Sequence, residues 1–309
     1  MELAHIAAQQ VLELLLMILA GAVCCKVGVF QPKERSVLSN ILLYLVVPAM
    51  VINSYLTEFD PDTFHNLLEA FALSLLALGI GLAVTFIVTL PFKQNQAILR
   101  FACSFSNAAY MGFPLIKAMF GSEGLLYASA FVTVFNILLW TVGYGMVSGS
   151  HSFKEILHSI LTCPCILAVI VGLVLYLGRV AVPQVLAGPI SAVGDMNTPL
   201  SMIITGATIA SSNLRQLLKN RQLFLTLGLR LLLVPAVELA VFAMLGVTGT
   251  VPMIVLLLEA CPCVTITTVF AIRFHHDEEL AAGAVVFSTL ASILTLPLYA
   301  LVLTAVLHV

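Results

Sequence analysis

Residues 259–270 read EACPCVTITTVF, a stretch in which Pro262 stands between two cysteines inside an otherwise apolar segment. A proline removes a backbone hydrogen bond and clashes with the preceding turn, so a helix through this stretch is expected to break near Pro262. Residues 163–165 repeat the Cys-Pro-Cys triplet earlier in the chain. Because paired thiolates bind soft metals, the stretch allows two interpretations: a metal site, or a broken helix in which the sulfurs are incidental.

Composition places the chain in a membrane. Of its 309 residues, 61% are hydrophobic and 9% are charged, whereas a soluble globular domain carries roughly a quarter of charged residues. A membrane-spanning helix needs about 20 largely apolar residues. By that measure the sequence predicts ten spans and leaves no stretch for a soluble domain; the spans are residues 6–29, 36–56, 65–90, 98–117, 125–148, 160–178, 189–210, 222–246, 251–272 and 279–306.

The distribution of positive charge predicts the orientation of these spans. No positive residue precedes the first span, so it is not expected to be a cleaved signal peptide. With the N-terminus outside, the outward loops carry Lys117 and Arg179 alone. The inward loops then carry Lys26, Lys33, Arg35, Lys93, Arg100, Lys154, Arg215, Lys219, Arg221 and Arg273. Because Lys and Arg accumulate on the cytoplasmic side, both termini are predicted to lie outside.

The chain divides into two similar halves. Five spans in each half would turn the second half upside down, so residues 1–150 and 151–309 are interpreted as inverted five-helix repeats. A constant offset of 154 relates small residues of the fifth span to the tenth, namely Ala128, Ala130, Val132 and Thr141 to Ala282, Ala284, Val286 and Thr295. The predicted fold class is therefore an all-α polytopic membrane protein with ten transmembrane helices.

The fourth and ninth spans are expected to be discontinuous. The fourth contains Asn107, Gly112 and Pro114, and the ninth contains Pro262. At 1.5 Å per residue, Asn107 and Pro262 lie roughly 15 Å inside their spans, near the middle of the bilayer. Two helices that enter from opposite faces and break at one depth are typical of a transporter site built by inverted repeats.

Four stretches carry a resemblance to a known family: LLYLVVPAMVINSYL, SFSNAAYMGFPLIKAMFG, the region of Pro262, and FHHDEELAAGAVVFSTLASILTLPL. In their order and spacing they resemble the auxin efflux carrier family, whose bacterial members include malate and malonate permeases. Plant members carry a proline after the asparagine and often a long central loop. Here Ala108 follows Asn107 and the central loop is short, which favours an organic-acid carrier of a bacterial inner membrane over an auxin carrier.

The resemblance implies an elevator-type carrier. Spans one, two, six and seven would form a scaffold that also makes a homodimer, and spans three to five and eight to ten would form the moving transport domain. The crossover of spans four and nine would hold the substrate, a small organic anion such as a mono- or dicarboxylate. No nucleic acid, cofactor or resident metal is expected.

A carboxylate at the membrane midplane needs replacements for its lost hydration. Helix N-termini supply unpaired N–H groups and a positive dipole end, and Asn107 adds amide donors without a buried charge. Asn107 could equally cap the second half-helix, and the two roles are compatible. The predicted substrate-binding residues are Asn107, Tyr110, Met111, Gly112, Pro114, Asn136, Pro262, Cys263, Val264, Thr265, Thr267 and Ser288. For Tyr110, Asn136, Thr265, Thr267 and Ser288, a hydrogen bond between helices is the alternative.

Three carboxylates inside spans are candidates for function: Glu13, Glu238 and Glu259. Glu259 could bind a coupling proton. Arg230 could form a structural ion pair with Glu238, or extend to the membrane surface from the end of its span. A sodium- or proton-coupled transporter or antiporter of similar fold is the second interpretation, although the crossover lacks paired aspartates.

Two further classes are disfavoured by the motifs that the sequence lacks. An intramembrane enzyme would be expected to show His-Glu-x-x-His, Gly-x-Ser-x-Gly or an aspartate pair in adjacent spans. A copper pump would need an ATP-hydrolysing domain, so the residue that matters in residues 259–270 is interpreted as Pro262.

Overall fold

The structure, a computed structural model, describes residues 2–31, 34–91, 96–149, 161–211 and 218–307. These residues form helices joined by short loops, and the extended pairing among them is one isolated antiparallel bridge, between Ser106 and Cys263. The helices are α1 Glu2–Lys26, α2 Ser36–Tyr55, α3 Pro61–Thr89, α4 Gln96–Ser104, α5 Ala108–Ser148, α6 Pro164–Leu177, α7 Gln184–Asp195, α8 Asn197–Ala210, α9 Arg221–Met244, α10 Thr250–Glu259, α11 Ile266–Arg273 and α12 Glu278–Val306.

Six of the described helices, α1, α2, α3, α5, α9 and α12, are long and apolar enough to cross a membrane by length and composition. Two shorter apolar helices, α6 and α10, accompany them. The expected class, an all-α polytopic membrane protein, agrees with this arrangement. Of the charges that predict the orientation, Lys33, Lys93, Lys154 and Arg215 lie outside the described residues.

Proline positions explain where several helices change their winding. Three π-helical segments, Leu42–Val46, Ala108–Gly112 and Leu229–Leu233, each precede a helix whose second residue is proline: Pro48, Pro114 or Pro235. A proline has no N–H for the i−4 carbonyl, so the turn before it widens to an i+5 pattern. Gly121, with φ of 64°, interrupts α5 and lets the chain reverse between the fourth and fifth predicted spans.

Glycines allow α1 and α8 to pack with their backbones in contact. A Cβ placed on Gly21 would lie 2.5 Å from the Ile203 carbonyl oxygen. A Cβ on Gly206 would overlap the Ile18 carbonyl oxygen and lie 2.7 Å from the Ala22 nitrogen. In a bilayer, where apolar burial does not drive helix association, close approach at small residues contributes much of the packing energy.

We therefore expect Gly206→Ala to lower the stability of the protein by about 1–3 kcal/mol, because the new methyl group has only backbone to displace. The measurement is the melting temperature of the purified protein in detergent. Gly79→Ala is the control, since a Cβ at Gly79 meets nothing within 4 Å and alanine favours the helix. Equal melting temperatures for the two variants would show that the α1/α8 contact is looser than described.

Candidate functional site

The two interrupted segments pair with each other through their backbones. The first lies between α4 and α5, and the second between α10 and α11. Asn107 N–H donates to the Pro262 carbonyl at 2.7 Å, and Val264 N–H donates to the Phe105 carbonyl at 3.0 Å. Irregular backbone at membrane depth is tolerated where protein satisfies its polar groups. Here each break satisfies the other, so neither helix can become continuous without leaving its partner unpaired.

Side chains form hydrogen bonds with two further backbone groups of the second break, the Cys263 N–H and the Val264 carbonyl. Cys263 N–H donates to the Ser288 hydroxyl oxygen at 2.9 Å, so α12 holds the middle of the interruption. The Thr267 hydroxyl donates to the Val264 carbonyl at 2.6 Å in the first turn of α11. Both side chains therefore stabilise the broken backbone. The Ser288 bond joins α12 to the break, as the alternative of a bond between helices expected, whereas the Thr267 bond is local to the start of α11.

Each interrupted span consists of two half-helices, α4 followed by α5 and α10 followed by α11. Arg230 of α9 binds the C-terminal ends of the first half-helix of each span, α4 and α10. Its Nη1 donates to the Cys103 carbonyl and its Nε to the Cys261 carbonyl, each at 3.1 Å. Its Nη2 donates to Glu259 Oε2 at 2.7 Å. A helix C-terminus carries partial negative charge, so one fully buried guanidinium neutralises the negative ends of α4 and α10 together.

This geometry corrects two expectations for Arg230. The sequence allowed an ion pair with Glu238, eight residues along the same helix, but the partner of Arg230 is Glu259. The sequence also allowed Arg230 to reach the membrane surface, but its side chain is 0% exposed. The π-helical turn at Leu229–Leu233 accompanies this inward placement. Glu13, the third intramembrane carboxylate, is exposed on α1 and accepts from Gln9 Nε2 at 3.3 Å.

A cavity of about 380 Å³ lies beside the crossing of the two segments. It extends along α2 from Ser39 to Val47 and to the first turn of α6, and it is lined mainly by apolar and aromatic side chains. Its lining is Ser39, Asn40, Leu43, Tyr44, Val47, Ser106, Asn107, Ala109, Tyr110, Val132, Phe135, Asn136, Leu139, Trp140, Thr162, Cys163, Pro164, Cys165, Val264, Thr265, Ile266 and Val269.

The N-terminal ends of both second half-helices face this cavity. Ala109 and Tyr110 lie in the first turn of α5, and Thr265 and Ile266 lie at the start of α11. The first N–H groups of a helix have no partner within that helix, and they carry its positive dipole end. With the negative ends of α4 and α10 bound by Arg230, the cavity receives two positive ends and no carboxylate from its described lining.

Two polar side chains in the cavity wall have no hydrogen-bond partner among the described residues. The Ser106 hydroxyl is fully buried and unpaired. Asn107 is 3% exposed, and its side chain makes no capping bond although it occupies the N-cap position of α5. The side-chain cap that was the alternative role for Asn107 is therefore absent, and its backbone carbonyl accepts from Met111 N–H at 3.0 Å. Its amide is available to a ligand.

The structure brings five of the predicted substrate-binding residues to the cavity: Asn107, Tyr110, Asn136, Val264 and Thr265. Asn136 also donates from its side-chain amide to the Val132 carbonyl at 2.8 Å, a bond within its own helix. The other seven do not line it, namely Met111, Gly112, Pro114, Pro262, Cys263, Thr267 and Ser288.

Gly112 and Met111 explain why neighbours of Asn107 in the sequence do not line the cavity with it. A Cβ on Gly112 would lie 2.5 Å from Leu258 Cδ2 and 3.2 Å from Cys261 Sγ, so Gly112 lets α5 approach α10. The Met111 sulfur accepts from the Ser292 hydroxyl at 3.6 Å, on the side of α12. Gly112 and Met111 therefore pack against α10 and α12 on the side of the break that faces away from the cavity. A ligand has no room on that side.

Sequence reasoning missed Ser106, the partners of Arg230, and the contribution of α2 and α6. Ser106 stands directly before Asn107 inside an apolar span, and this position was a usable signal. Arg230 was recognised as intramembrane, but its partners are 31 and 127 residues away along the chain, and spacing does not reveal them. The lining from α2 and α6 needed the three-dimensional arrangement.

The cysteines do not assemble into a metal centre in the described part of the chain. All seven are free, and the described residues contain no group of three or more His, Cys, Asp or Glu side chains that could hold an ion. Cys261 and Cys263 are fully buried behind the crossing, whereas Cys163 and Cys165 reach the cavity wall.

Known proteins are similar to this sequence over most of its length. A family model described as membrane transport protein matches residues 6–159 and 150–300. An uncharacterized transporter of Methanothermobacter thermautotrophicus is 23% identical over 307 residues, which cover 96% of this chain and 98% of the relative. An uncharacterized transporter of Methanocaldococcus jannaschii is 22% identical over 305 residues, which cover 95% of this chain and 97% of the relative. Neither name states a substrate.

Proposed function

Because the chain belongs to the membrane transport protein family that this family model describes, the auxin efflux carrier family, we propose that it is a secondary transporter of a small organic anion. The substrate carboxylate binds in the cavity beside the crossing of the two interrupted segments. The observation that carries the proposal is the cavity wall itself. It combines the N-termini of α5 and α11 with two buried polar side chains, Ser106 and Asn107, that lack partners among the described residues.

The electrostatics of that wall favour an anion over a cation or a neutral solute. Helix N-termini attract negative charge, and the effect is strongest where water is excluded. No charged side chain is present in the described lining, so the attraction comes from N–H groups and dipoles. Such a site binds a carboxylate reversibly, whereas a lysine or arginine in a dry cavity would hold it more tightly and slow its release.

The proposed architecture has ten spans in two inverted five-helix repeats, residues 1–150 and 151–309, with crossover helices four and nine. The interruption of α4/α5 and of α10/α11, and the backbone pairing between them, support this arrangement. The scaffold would consist of α1, α2, α6, α7 and α8, and the transport domain of α3 to α5 and α9 to α12. The cavity is lined by α2 and α6 of the proposed scaffold and by α5 and α11 of the proposed transport domain, which supports the proposal of an elevator-type carrier.

The cavity extends toward the first turns of α2 and α6, which the charge asymmetry places on the cytoplasmic side. The proposal therefore describes an inward-facing carrier in a bacterial inner membrane, with both termini outside and a homodimer formed through the scaffold. Substrate would enter or leave beside residues 163–165 and Ser39. Malate and malonate, the substrates named for bacterial members of the family, are dicarboxylates, and a described lining without a cationic side chain does not favour them.

We expect the carrier to bind monocarboxylates with an apolar body better than dicarboxylates of similar size. A second carboxylate in this cavity would lose its hydration without gaining a cation, at a cost of several kcal/mol. Isothermal titration of the protein in lipid nanodiscs with hexanoate, phenylacetate, succinate and adipate measures the difference, which should reach at least tenfold in dissociation constant. Exchange of labelled phenylacetate across proteoliposomes then measures transport.

Val132→Phe, which narrows the cavity, should lower both binding and exchange. Val134→Phe is the matched control, because Val134 lies two residues along the same helix and outside the cavity lining. Binding of succinate as tight as that of hexanoate would contradict the single-carboxylate site. Transport that survives Val132→Phe and fails in Val134→Phe would place the substrate elsewhere.

A further inference from the structure

Three charged side chains are buried together behind the crossing, outside the cavity. Arg230, Glu238 and Glu259 are each 0% exposed. The guanidinium donors are directed to the Cys103 carbonyl, the Cys261 carbonyl and Glu259 Oε2. Three carboxylate oxygens remain without a partner among the described residues: both oxygens of Glu238, and Glu259 Oε1.

The charges of this cluster do not balance. One guanidinium compensates one carboxylate, and Glu259 takes that place at 2.7 Å. A second carboxylate buried in a dry interior without a counter-ion is strongly unfavourable, and such a group binds a proton instead. We infer that the pair of Glu238 and Glu259 binds one proton, which is held by Glu238, and that this proton is the coupling ion of the proposed transport.

Glu238 is the better holder of that proton. Glu259 Oε2 already accepts from Arg230, whereas neither oxygen of Glu238 has a partner among the described residues. In the described part of the chain, the other elements packed against Glu238 contribute no second cation to it. On α3, a Cβ on Gly81 would lie 3.0 Å from Glu238 Oε1, and on α12 the Tyr299 hydroxyl donates to the Leu232 carbonyl at 3.1 Å.

The groups that can titrate around the cluster are few. Glu238 interacts electrostatically with Glu259, Arg230 and Tyr299, and the thiols of Cys103 and Cys261 interact in the same way with Arg230. A sodium ion is a poorer occupant than a proton. It would need several oxygen ligands and would lie beside a guanidinium, and the described residues offer no cluster of three acidic, His or Cys ligands.

The protonation state of Glu238 affects the substrate cavity through the hydrogen bonds of Arg230. If Glu238 loses its proton, two carboxylates compete for one guanidinium, and its bonds to the Cys103 and Cys261 carbonyls weaken. Those carbonyls end the half-helices at the crossing, so the position of Asn107 and Val264 depends on them. An anion in the cavity and a second buried negative charge also repel each other. Proton and anion therefore favour each other's binding, and this linkage is reciprocal.

The cluster can be tested without any substrate, by infrared spectroscopy of the full chain in lipid nanodiscs during a pH titration. A protonated carboxylic acid has a C=O stretching band that an ionised carboxylate lacks. We expect a band that Glu238→Gln removes. Glu259→Gln should remove it as well, because Glu238 then ionises to become the partner of Arg230. Glu278→Gln, at the exposed start of α12, is the control and should leave the band unchanged.

A band that survives Glu238→Gln would overturn the assignment, and one that survives Glu259→Gln would overturn the sharing of one guanidinium by two carboxylates. If Glu238→Gln does not fold, Glu238→Asp keeps an acid and should shift the frequency of the band; an unshifted band would overturn the proposal too.

The coupling role rests on the proposed transport function and has its own readout. Exchange of labelled phenylacetate across proteoliposomes should depend on pH in the wild type and lose that dependence in Glu238→Gln. An unchanged pH dependence would overturn the coupling. If no acid is exchanged at all, the transporter proposal and its coupling fail, while the spectroscopic test of the proton still stands.

Discussion

Arg230→Met should leave little folded protein, the largest effect that we expect from a single substitution. The substitution leaves three buried hydrogen-bond acceptors without the donor that they have in the wild type: the Cys103 carbonyl, the Cys261 carbonyl and Glu259 Oε2. Breaking a buried ion pair by removing one partner typically costs about 3–5 kcal/mol. Here the loss also exposes the negative ends of two half-helices to each other. The melting temperature in detergent and the yield of monodisperse protein measure the effect.

Replacing both partners of the ion pair separates the contribution of the charges to stability from the contribution of side-chain packing. Arg230→Met combined with Glu259→Met removes the stranded carboxylate and should recover about 2 kcal/mol of the loss, because paired apolar replacements are often tolerated. Arg273→Met is the control for the loss of an arginine, since Arg273 is exposed at the end of α11. If Arg230→Met melts as Arg273→Met does, the guanidinium does not hold the crossing together.

The all-helical membrane class and the positions of the two breaks could be predicted because their causes are local. Runs of apolar residues identify helices, and Pro262, Pro114 and Asn107 are helix-breaking or polar residues whose depth follows from counting along the chain. The two bonds from Asn107 N–H to the Pro262 carbonyl and from Val264 N–H to the Phe105 carbonyl form because the two breaks meet, and no local rule predicts these partners. Ten spans in two inverted repeats remain a proposal, since only some of the described helices have the length of a full span.

The candidate site was predictable in part for the same reason. Asn107 and Thr265 follow the breaks directly, so they begin the second half-helices and reach the cavity. The sequence alone could not distinguish the cavity side of each break from its packed side. Gly112, Cys263 and Ser288 lie on the packed side, where Ser288 holds the Cys263 amide and Gly112 admits Leu258.

The Cys-Pro-Cys stretch owes its importance to Pro262. The Pro262 carbonyl binds Asn107 N–H, whereas the Cys261 sulfur donates weakly to the Leu257 carbonyl of its own helix at 3.4 Å. The second triplet begins α6, with Pro164 in the first turn. An N–H at that position has no partner within the helix, so a proline there costs no hydrogen bond. Two identical triplets thus act in opposite ways, one ending a helix and the other starting one.

Asn107→Ala should weaken binding of the transported anion about ten- to a hundredfold. A hydrogen bond to a charged group contributes about 1.5–3 kcal/mol, and each 1.4 kcal/mol is tenfold in the dissociation constant. The Asn107 side chain makes no hydrogen bond to any described residue, so alanine leaves the crossing intact and the backbone bonds to Pro262 and Met111 remain. Titration of the variant in nanodiscs with hexanoate measures the loss.

The matched control for Asn107→Ala removes both sulfurs, Cys261→Ala with Cys263→Ala. Neither cysteine lines the cavity, and the Cys263 amide still donates to Ser288 when its side chain is replaced. The double variant should therefore bind hexanoate within about threefold of the wild type, a difference below 1 kcal/mol. If the double variant lost binding and Asn107→Ala kept it, the thiols would contact the ligand. The carboxylate would then bind on the cysteine side of the crossing, and the N-terminal ends of α5 and α11 would not form its site.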